Sequence, residues 1–377
     1  MLTTLASSLV IGAAFGFRPS TVRLRETVEH LSNFPTRNTS SPELVQAAAW
    51  VSEQMKQVPG LEVETMSYPI KAGPRIPADK DVVQVIGVLR GETDHRVLVS
   101  GHLDSINLKE DVFKGRAPGA NDDLSGVALV LESARQLAKY KWHNTLVFCV
   151  VSGEEQGLLG SAAIAKRAKA EGWKIDAMLN NDIVGSSKNA DGDRDVKHIR
   201  LFSPASADTN SRELARLIEF INRSNRVRPM LIFRADRFGR GGDHSSFIKE
   251  GFSAVRFTEV YENWDHQHTA NDLIQYVDFP YLAGVTQVNL NALASLANAA
   301  EAPSKVHVVP KLSLDTDLTW VGAPGVQYQV YWRRTTDAAW RGRFNAGAVE
   351  KYTLQKMSKD DLVFAVSAEG GIPVEAR

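Results

Sequence analysis

The residues with the most chemistry in this sequence are short runs of histidine and acid. They are Gly101-His102-Leu103-Asp104-Ser105, Pro118-Gly-Ala-Asn-Asp122-Asp123-Leu-Ser-Gly, Ser152-Gly-Glu154-Glu155-Gln-Gly, Asn180-Asn-Asp182 and Asp265-His266-Gln-His268-Thr-Ala-Asn-Asp272. Imidazole nitrogen and carboxylate oxygen are donors for divalent transition metals, and a metal held by them can activate water for hydrolysis. Any one run has an ordinary explanation: His-x-Asp as a surface pair, Glu-Glu as a solvated face, Asn-Asp-Asp as a turn or helix cap. Their joint placement carries the argument, because three of the runs directly follow predicted strands.

Those strands belong to a regular alternation. Val97-Leu-Val-Ser100 precedes His102, Leu146 to Val151 precedes Glu154, and Ala177 to Leu179 precedes Asp182, with helical spacing from about Leu124 to Tyr140 and from Leu158 to Ala170. A helix around Arg212 to Ile221, a strand at Ala254 to Phe257 and a long helix from Phe279 to Ala300 continue it. The rhythm predicts an α/β domain with a mixed, largely parallel central sheet flanked by helices, its ligands at the carboxyl ends of the strands. Upstream, Val22, Leu24, Val28 and Leu31 share a helix face, Ser40 or Ser41 caps a second helix opened by Pro42 and Glu43, and Leu61 to Met66 and Val82 to Leu89 read as strands.

From Ala302 and Pro303 the pattern changes to short alternating strands, among them Val306-His-Val-Val, Leu318-Thr-Trp320, Tyr328-Gln-Val-Tyr-Trp332 and Leu362-Val-Phe-Ala-Val366. The expected organisation is an N-terminal leader or extension over 1–19, the α/β domain over 20–301 and a small, separable all-β sandwich over 302–377. Met1 to Phe17 is uncharged and apolar, the composition of the core of an export signal, but it is short and broken by Gly12 and Gly16, so no membrane span is expected. The 44 basic and 44 acidic side chains leave no dominant field, which argues against nucleic acid as a partner. The single Cys149 rules out an internal disulfide framework and lies in a run that reads as a buried strand.

Taken together, the acidic and histidine runs resemble the co-catalytic zinc aminopeptidase family, peptidase family M28, over roughly Ser20 to Ala300. The matching motifs stand in the family's order: His102-x-Asp104, Gly119-Ala-Asn-Asp122-Asp123-x-Ser-Gly, Glu154-Glu155-x-Gly-x-x-Gly-Ser161, Asn181-Asp182, Gly242-Asp243-His244 and His268-Thr-x-x-Asp272. The resemblance implies the zinc exopeptidase fold and two Zn2+ ions, His102 and Asp182 on one, Glu155 and His268 on the other, and Asp122 bridging them. Cobalt and manganese tolerate the same donors. Adjacency alone does not say which of Glu154 and Glu155 is the ligand; the family assigns Glu154 as the general base that takes a proton from a metal-activated water. It also implies that Asp104 accepts a hydrogen bond from His102 and that the Asp122–Asp123 peptide is cis.

His266 competes with His268, but only His268 is followed by the Thr-x-x-Asp of the motif. Asp243 fits either a place near the metals or a helix cap. A tyrosine that donates to the tetrahedral intermediate in some relatives has no counterpart before Asp243, where Phe238-Gly-Arg240-Gly-Gly stands and Arg240 becomes the candidate donor. The C-terminal strands resemble those of fibronectin type III modules, with Leu362 where a strand-initiating tyrosine is common; such a module is a candidate for docking on another surface or on the catalytic domain. The function implied is a peptide-hydrolysing zinc aminopeptidase, secreted or periplasmic, with cytoplasmic location open. Carboxypeptidase or dipeptidase action, a single-zinc glutaminyl cyclase and a non-catalytic receptor-like module are the alternatives.

Overall fold

The central strands are apolar at consecutive positions, the pattern of a sheet covered on both faces. The computed structural model describes residues 15–205 and 209–377. The chain enters through helices α1 (Thr21–Ser32) and α2 (Pro42–Lys56), each started by a serine hydroxyl that accepts a backbone N–H, Ser20 from Arg23 and Ser41 from Glu43. An antiparallel pair follows, β1 (Leu61–Ile70) and β2 (Lys80–Leu89). Then come β3 (His95–His102), α3 (Leu124–Leu137), β4 (Thr145–Val151), α4 (Leu159–Ala170) and β5 (Lys174–Asn181). The domain closes with β6 (His198–Phe202), α5 (Ser211–Asn222), β7 (Arg228–Ile232), α6 (His244–Lys249), β8 (Ala254–Glu259) and α7 (Phe279–Ala297).

The eight strands lie in the order β1-β2-β4-β3-β5-β8-β6-β7. β4, β3, β5 and β8 are mutually parallel, while β2 and β6 join them antiparallel. Side chains alternate between faces: Val97, Val99, Phe148 and Val150 enter one apolar cluster with α1, α3 and α7, and Leu98, Val147, Cys149 and Met178 enter another with α4 and α6. Each such valine or leucine, fully buried, contributes about 1.5–3 kcal/mol. Burial pushes the Cys149 thiol up to about 12, which keeps it protonated and inert. Strands β6 and β7 were not expected: they are five residues each, carry His198, Arg200, Arg228 and Pro229, and lack the apolar run that announces the central strands.

The leader expectation falls mainly on residues 1–14, outside the described residues. Its described end is docked on the domain, with the rings of Phe15 and Phe17 meeting Tyr140 at 5.1 and 5.6 Å. No helix of the described residues is long and apolar enough to cross a membrane.

Beyond α7, strands β9 (Ser304–Val308), β10 (Thr316–Val321), β11 (Tyr328–Arg334), β12 (Gly342–Gly347), β13 (Lys351–Leu354), β14 (Leu362–Ala368) and β15 (Val374–Glu375) form two antiparallel sheets, in the orders β13-β10-β9 and β12-β11-β14-β15. Leu318 and Trp320 from the first pack with Val330, Phe364 and Val366 from the second, which makes a small sandwich. Its outer face is bound to the α/β domain. Tyr331 meets Phe220 of α5 at 5.4 Å, and Tyr331, Trp340 and Ala365 belong to the same apolar cluster as α5 and α7. Arg216 donates to the Ala338 carbonyl at 2.8 Å and Ser295 to the Gly370 carbonyl at 2.8 Å. The change of composition at Ala302 therefore marks a change of architecture at a packed interface.

Trp340, 1% exposed, is the largest side chain in that interface. Trp340→Ala should lower stability by about 3–5 kcal/mol, read as a shifted denaturation midpoint with the metal content of the folded protein unchanged. A shift near zero would mean that the two parts hold together without this packing.

Candidate metal centre

His102 is the last residue of β3, Asp182 directly follows β5, Glu154 and Glu155 lie in the turn from β4 into α4, Asp122 precedes α3, and His268 lies in the loop between β8 and α7. The structure brings these segments to one point. His102 Nε2 is 3.1 Å from Asp122 Oδ1 and 3.7 Å from Asp182 Oδ1. His268 Nε2 is 3.1 Å from Asp122 Oδ2 and 3.3 Å from Glu155 Oε1. Asp122 thus turns one oxygen to each histidine, and two donor sets share it. Glu154 joins His102 and Glu155 in a group whose donor atoms lie within 4.8 Å of one another.

Buried carboxylates one step away hold these ligands in place. The Asp123 carboxylate accepts the backbone N–H of His102 at 2.9 Å, of Gly126 at 3.0 Å and of Ile183 at 3.2 Å. It caps α3 and pins the ends of β3 and β5 with one side chain. The peptide between Asp122 and Asp123 is cis. Asp272 accepts from the backbone of Asn121 at 3.0 Å and of Asp122 at 2.8 Å, and the Asn121 amide donates to Glu259 at the end of β8. Close approach at the strand end depends on two glycines: a Cβ on Gly101 would stand 2.5 Å from the Gly126 backbone, and one on Gly126 would stand 2.4 Å from the Asn181 carbonyl. Ile183 and His268 have φ of 59° and 55°, a left-handed backbone that costs a non-glycine residue about 1–3 kcal/mol. For Ile183 the surrounding bonds enforce it, since its N–H is held by Asp123 and its carbonyl by Glu259.

Asp104 differs from expectation. His102 Nδ1 meets the Asp104 backbone carbonyl at 3.0 Å, while the nearer carboxylate oxygen is 3.7 Å away. The carboxylate is engaged instead by the backbone N–H groups of Glu154 and Glu155, at 3.2 and 3.1 Å. It orients the glutamate turn, and the backbone carbonyl of the same residue sets the imidazole tautomer. Asp243 precedes α6 but makes no capping bond; it is buried, and burial pushes its carboxyl up to about 6. His266 packs on Tyr276, ring centroids 4.0 Å apart and planes tilted by 32°, outside the donor sets. Arg240 lines the cavity beside the ligands, with Nη1 on Glu262 at 2.9 Å.

Two arginines at the centre went unread in the sequence. Arg37, fully buried, donates to the carbonyls of Leu103 at 2.7 Å and Pro118 at 2.6 Å, which ties the loop after His102 to the loop before Asp122. Arg256 of β8, also fully buried, binds Asp182 Oδ2 at 2.8 Å and Asp236 Oδ2 at 2.9 Å. A single charge inside the apolar run Ala254-Val-Arg-Phe257 was a usable signal for the second, because a buried arginine needs an acid to meet. Arg37 had no such signal.

Burial alone would discharge the whole centre, and mutual attraction opposes it. Burial works against a charge on His102, yet the carboxylates of Asp122 and Asp182 that its imidazolium faces hold its pKa well above the ordinary value. Burial likewise depresses His268, but the charges of Glu155 and Asp122 raise it to about 11. Burial would raise Asp182, but Arg256 and His102 bring it down to about 2. Three buried oxygens, Asp122 Oδ2, Glu155 Oε1 and Asp182 Oδ1, accept no hydrogen bond from the described residues. One orphaned oxygen on each of three carboxylates, facing two imidazoles, fits divalent cations of the zinc type.

The sequence profile of peptidase family M28 matches residues 84–293. A probable zinc metalloprotease of Leptosphaeria maculans is 36% identical over 397 residues, which cover 93% of this chain and 92% of the relative. Among solved structures, the LapA aminopeptidase of Legionella pneumophila superposes with a TM-score of 0.60 at 20% identity, over 77% of this chain and 75% of that one. The glutaminyl cyclase of Fimbriiglobus ruber gives 0.59 at 17% identity, over 73% and 95%. The two structural likenesses share the fold and differ in the reaction named.

Metal entering this centre must displace the protons held by His102 and His268. Both imidazoles have pKa values raised above neutrality in the metal-free protein, so both are charged at about pH 7 and binding pays for their deprotonation. That cost falls as pH rises. Zinc titrated into chelator-stripped protein should release protons, seen by calorimetry in buffers of different ionisation heat, and its apparent affinity should climb between about pH 6 and 8. A flat affinity across that range would contradict the electrostatics described.

Proposed function

The chain belongs to peptidase family M28 and is a zinc metallopeptidase, and we propose that it is an aminopeptidase that works with two zinc ions and Glu154 as general base. One observation carries the reading: two donor sets, each with one histidine and one carboxylate of its own, share Asp122. His102 and Asp182 would hold one ion and Glu155 and His268 the other, with Asp122 common to both sets. Zinc held there would lower the pKa of a bound water to about 7 and would polarise a peptide carbonyl. Five donors support two ions over the single ion of a cyclase.

Glu154 is half-buried and lines a cavity of about 320 Å3 together with Asp122, Asp182 and His268. Its backbone is held by Asp104 and its carboxylate is free to move a proton from the attacking water to the leaving amine. Burial first, then the charges of Asp182 and Glu155, raise its pKa well above the usual carboxylate range, which favours a proton once received. A free amino terminus is the substrate group that a wall of carboxylates favours. The LapA neighbour supports the same side of the choice. The strand orders of the C-terminal sandwich support a fibronectin type III-like reading, and its pairing with a peptidase supports extracytoplasmic location. Recovery of the protein from the cytoplasm alone would overturn that location.

Glu154→Gln should cut kcat by at least about a hundredfold with both metals retained, because a base is lost and no ligand is. Glu155→Gln should instead empty one site. Acetylation of a leucyl peptide's amine should abolish cleavage; cleavage that survives acetylation and fails on amidation of the carboxyl end would make the enzyme a carboxypeptidase.

A further inference from the structure

The wall of the same cavity that faces the metal ligands is cationic. Arg75, Arg237 and Arg240 line it. Arg75 comes from the tip of the β1–β2 hairpin, where Gly73 and Ile76 form an antiparallel bridge and Ile76 is buried, so the fold places it there. Its Nη1 donates to the backbone carbonyl of Glu155 at 2.8 Å, and among the described residues no carboxylate pairs with it. Its charge is therefore uncompensated beside the second metal set.

Arg240 is over-subscribed at its acid. Arg200, Arg237 and Arg240 all meet Glu262, while Arg237 and Arg256 meet Asp236. Four guanidinium groups thus share two carboxylates, apart from the ligand Asp182. Arg240 uses only Nη1, on Glu262 at 2.9 Å and Gln267 at 3.3 Å; among the described residues its Nε and Nη2 have no acceptor. The Trp264 ring, 4.9 Å from its guanidinium carbon, backs the plane. Two guanidinium groups with free donors, in a small cavity that already holds the reacting atoms, are built for an anion of the substrate.

Resting on the aminopeptidase reading of this cavity, we propose that Arg75 and Arg240 bind a carboxylate on the residue that follows the scissile bond. The preferred substrates are then dipeptides, whose terminal carboxylate lies at that position. The cavity agrees in size, since about 320 Å3 is at the low end of small-molecule sites, roughly 300–1,000 Å3. A free amine selected at one end and a carboxylate at the other define a substrate two residues long. An acidic side chain on the second residue offers the same chemistry.

The test compares Leu-Gly, Leu-Gly-amide and Leu-Asp-amide on the metal-loaded full chain. The ratio of kcat/KM for Leu-Gly over Leu-Gly-amide should be at least about tenfold, the scale of a charge-assisted hydrogen bond. It should fall close to one in the Arg75→Gln, Arg240→Gln double variant and be partly kept in Arg75→Lys. Leu-Asp-amide performing like Leu-Gly would extend the site to side-chain carboxylates; performing like Leu-Gly-amide, it would restrict the site to the chain end. A ratio near one in the unmodified enzyme, or a tenfold ratio that survives the double variant, overturns the proposal. The same ratio is read as affinity by calorimetry on metal-loaded Glu154→Gln protein, where no turnover is needed. A preserved affinity ratio with indifference to N-acetylation would sink the aminopeptidase reading alone.

Discussion

The Asp123 carboxylate holds the end of β3, the start of α3 and the end of β5 through three backbone N–H groups. Those three termini carry or adjoin His102, Asp122 and Asp182, so one buried acid sets the spacing of three ligands. It is costly to keep: burial, helped by the charges of Asp182 and Asp122, pushes its carboxyl well above the usual range, and the charge of His102 and then the donated hydrogens oppose this. Among the described residues the carboxylate has no positive side chain at hydrogen-bond distance. Fixed backbone dipoles join the charge of His102 in compensating it, and they can do so only if the strand ends and the helix start stay where the sheet puts them.

The same logic is repeated outward. Asp272 grips the backbone beside Asp122, Asp104 grips the backbone of the glutamate pair, and Arg37 grips the carbonyls of the loops on either side of His102 and Asp122. His102, Asp122 and Glu155 are each aimed by a carboxylate that bonds their main chain, which leaves free the side-chain atom that faces the metal site. Acid is concentrated at the ligands and arginine beyond them, with Arg256 as the joint between Asp182 and the outer network.

Much of this architecture was readable from residue order because its causes are local. Apolar runs bounded by turns gave β3, β4 and β5, and the position of His102, Glu154 and Asp182 just past them followed from the geometry of parallel sheets. What was hidden has long-range causes. Asp104 is two residues from His102, and nothing in that spacing tells that its carboxylate turns toward the backbone of Glu154. Arg37 acts across the fold on residues 66 and 81 positions away, which no pattern in its neighbourhood encodes. Strands β6 and β7 are held by their partners more than by their own composition, and the docking of the C-terminal sandwich depends on Tyr331 and Trp340, whose roles inside a sandwich and between domains look alike in a sequence.

Gly101 and Gly126 show how little room this design leaves for variation. At most buried positions an added methyl group is absorbed by a neighbouring side chain that swings to another rotamer. Here the atoms met at 2.5 and 2.4 Å are main chain, of Gly126 and Asn181, and main chain cannot rotate aside. The helix would have to withdraw from the strand, and the withdrawal would carry Asp123 off the N–H groups of His102 and Ile183 and Asp122 out from between the two histidines. Two missing methyl groups, with no chemistry of their own, thus set the tolerance to which the metal centre is machined.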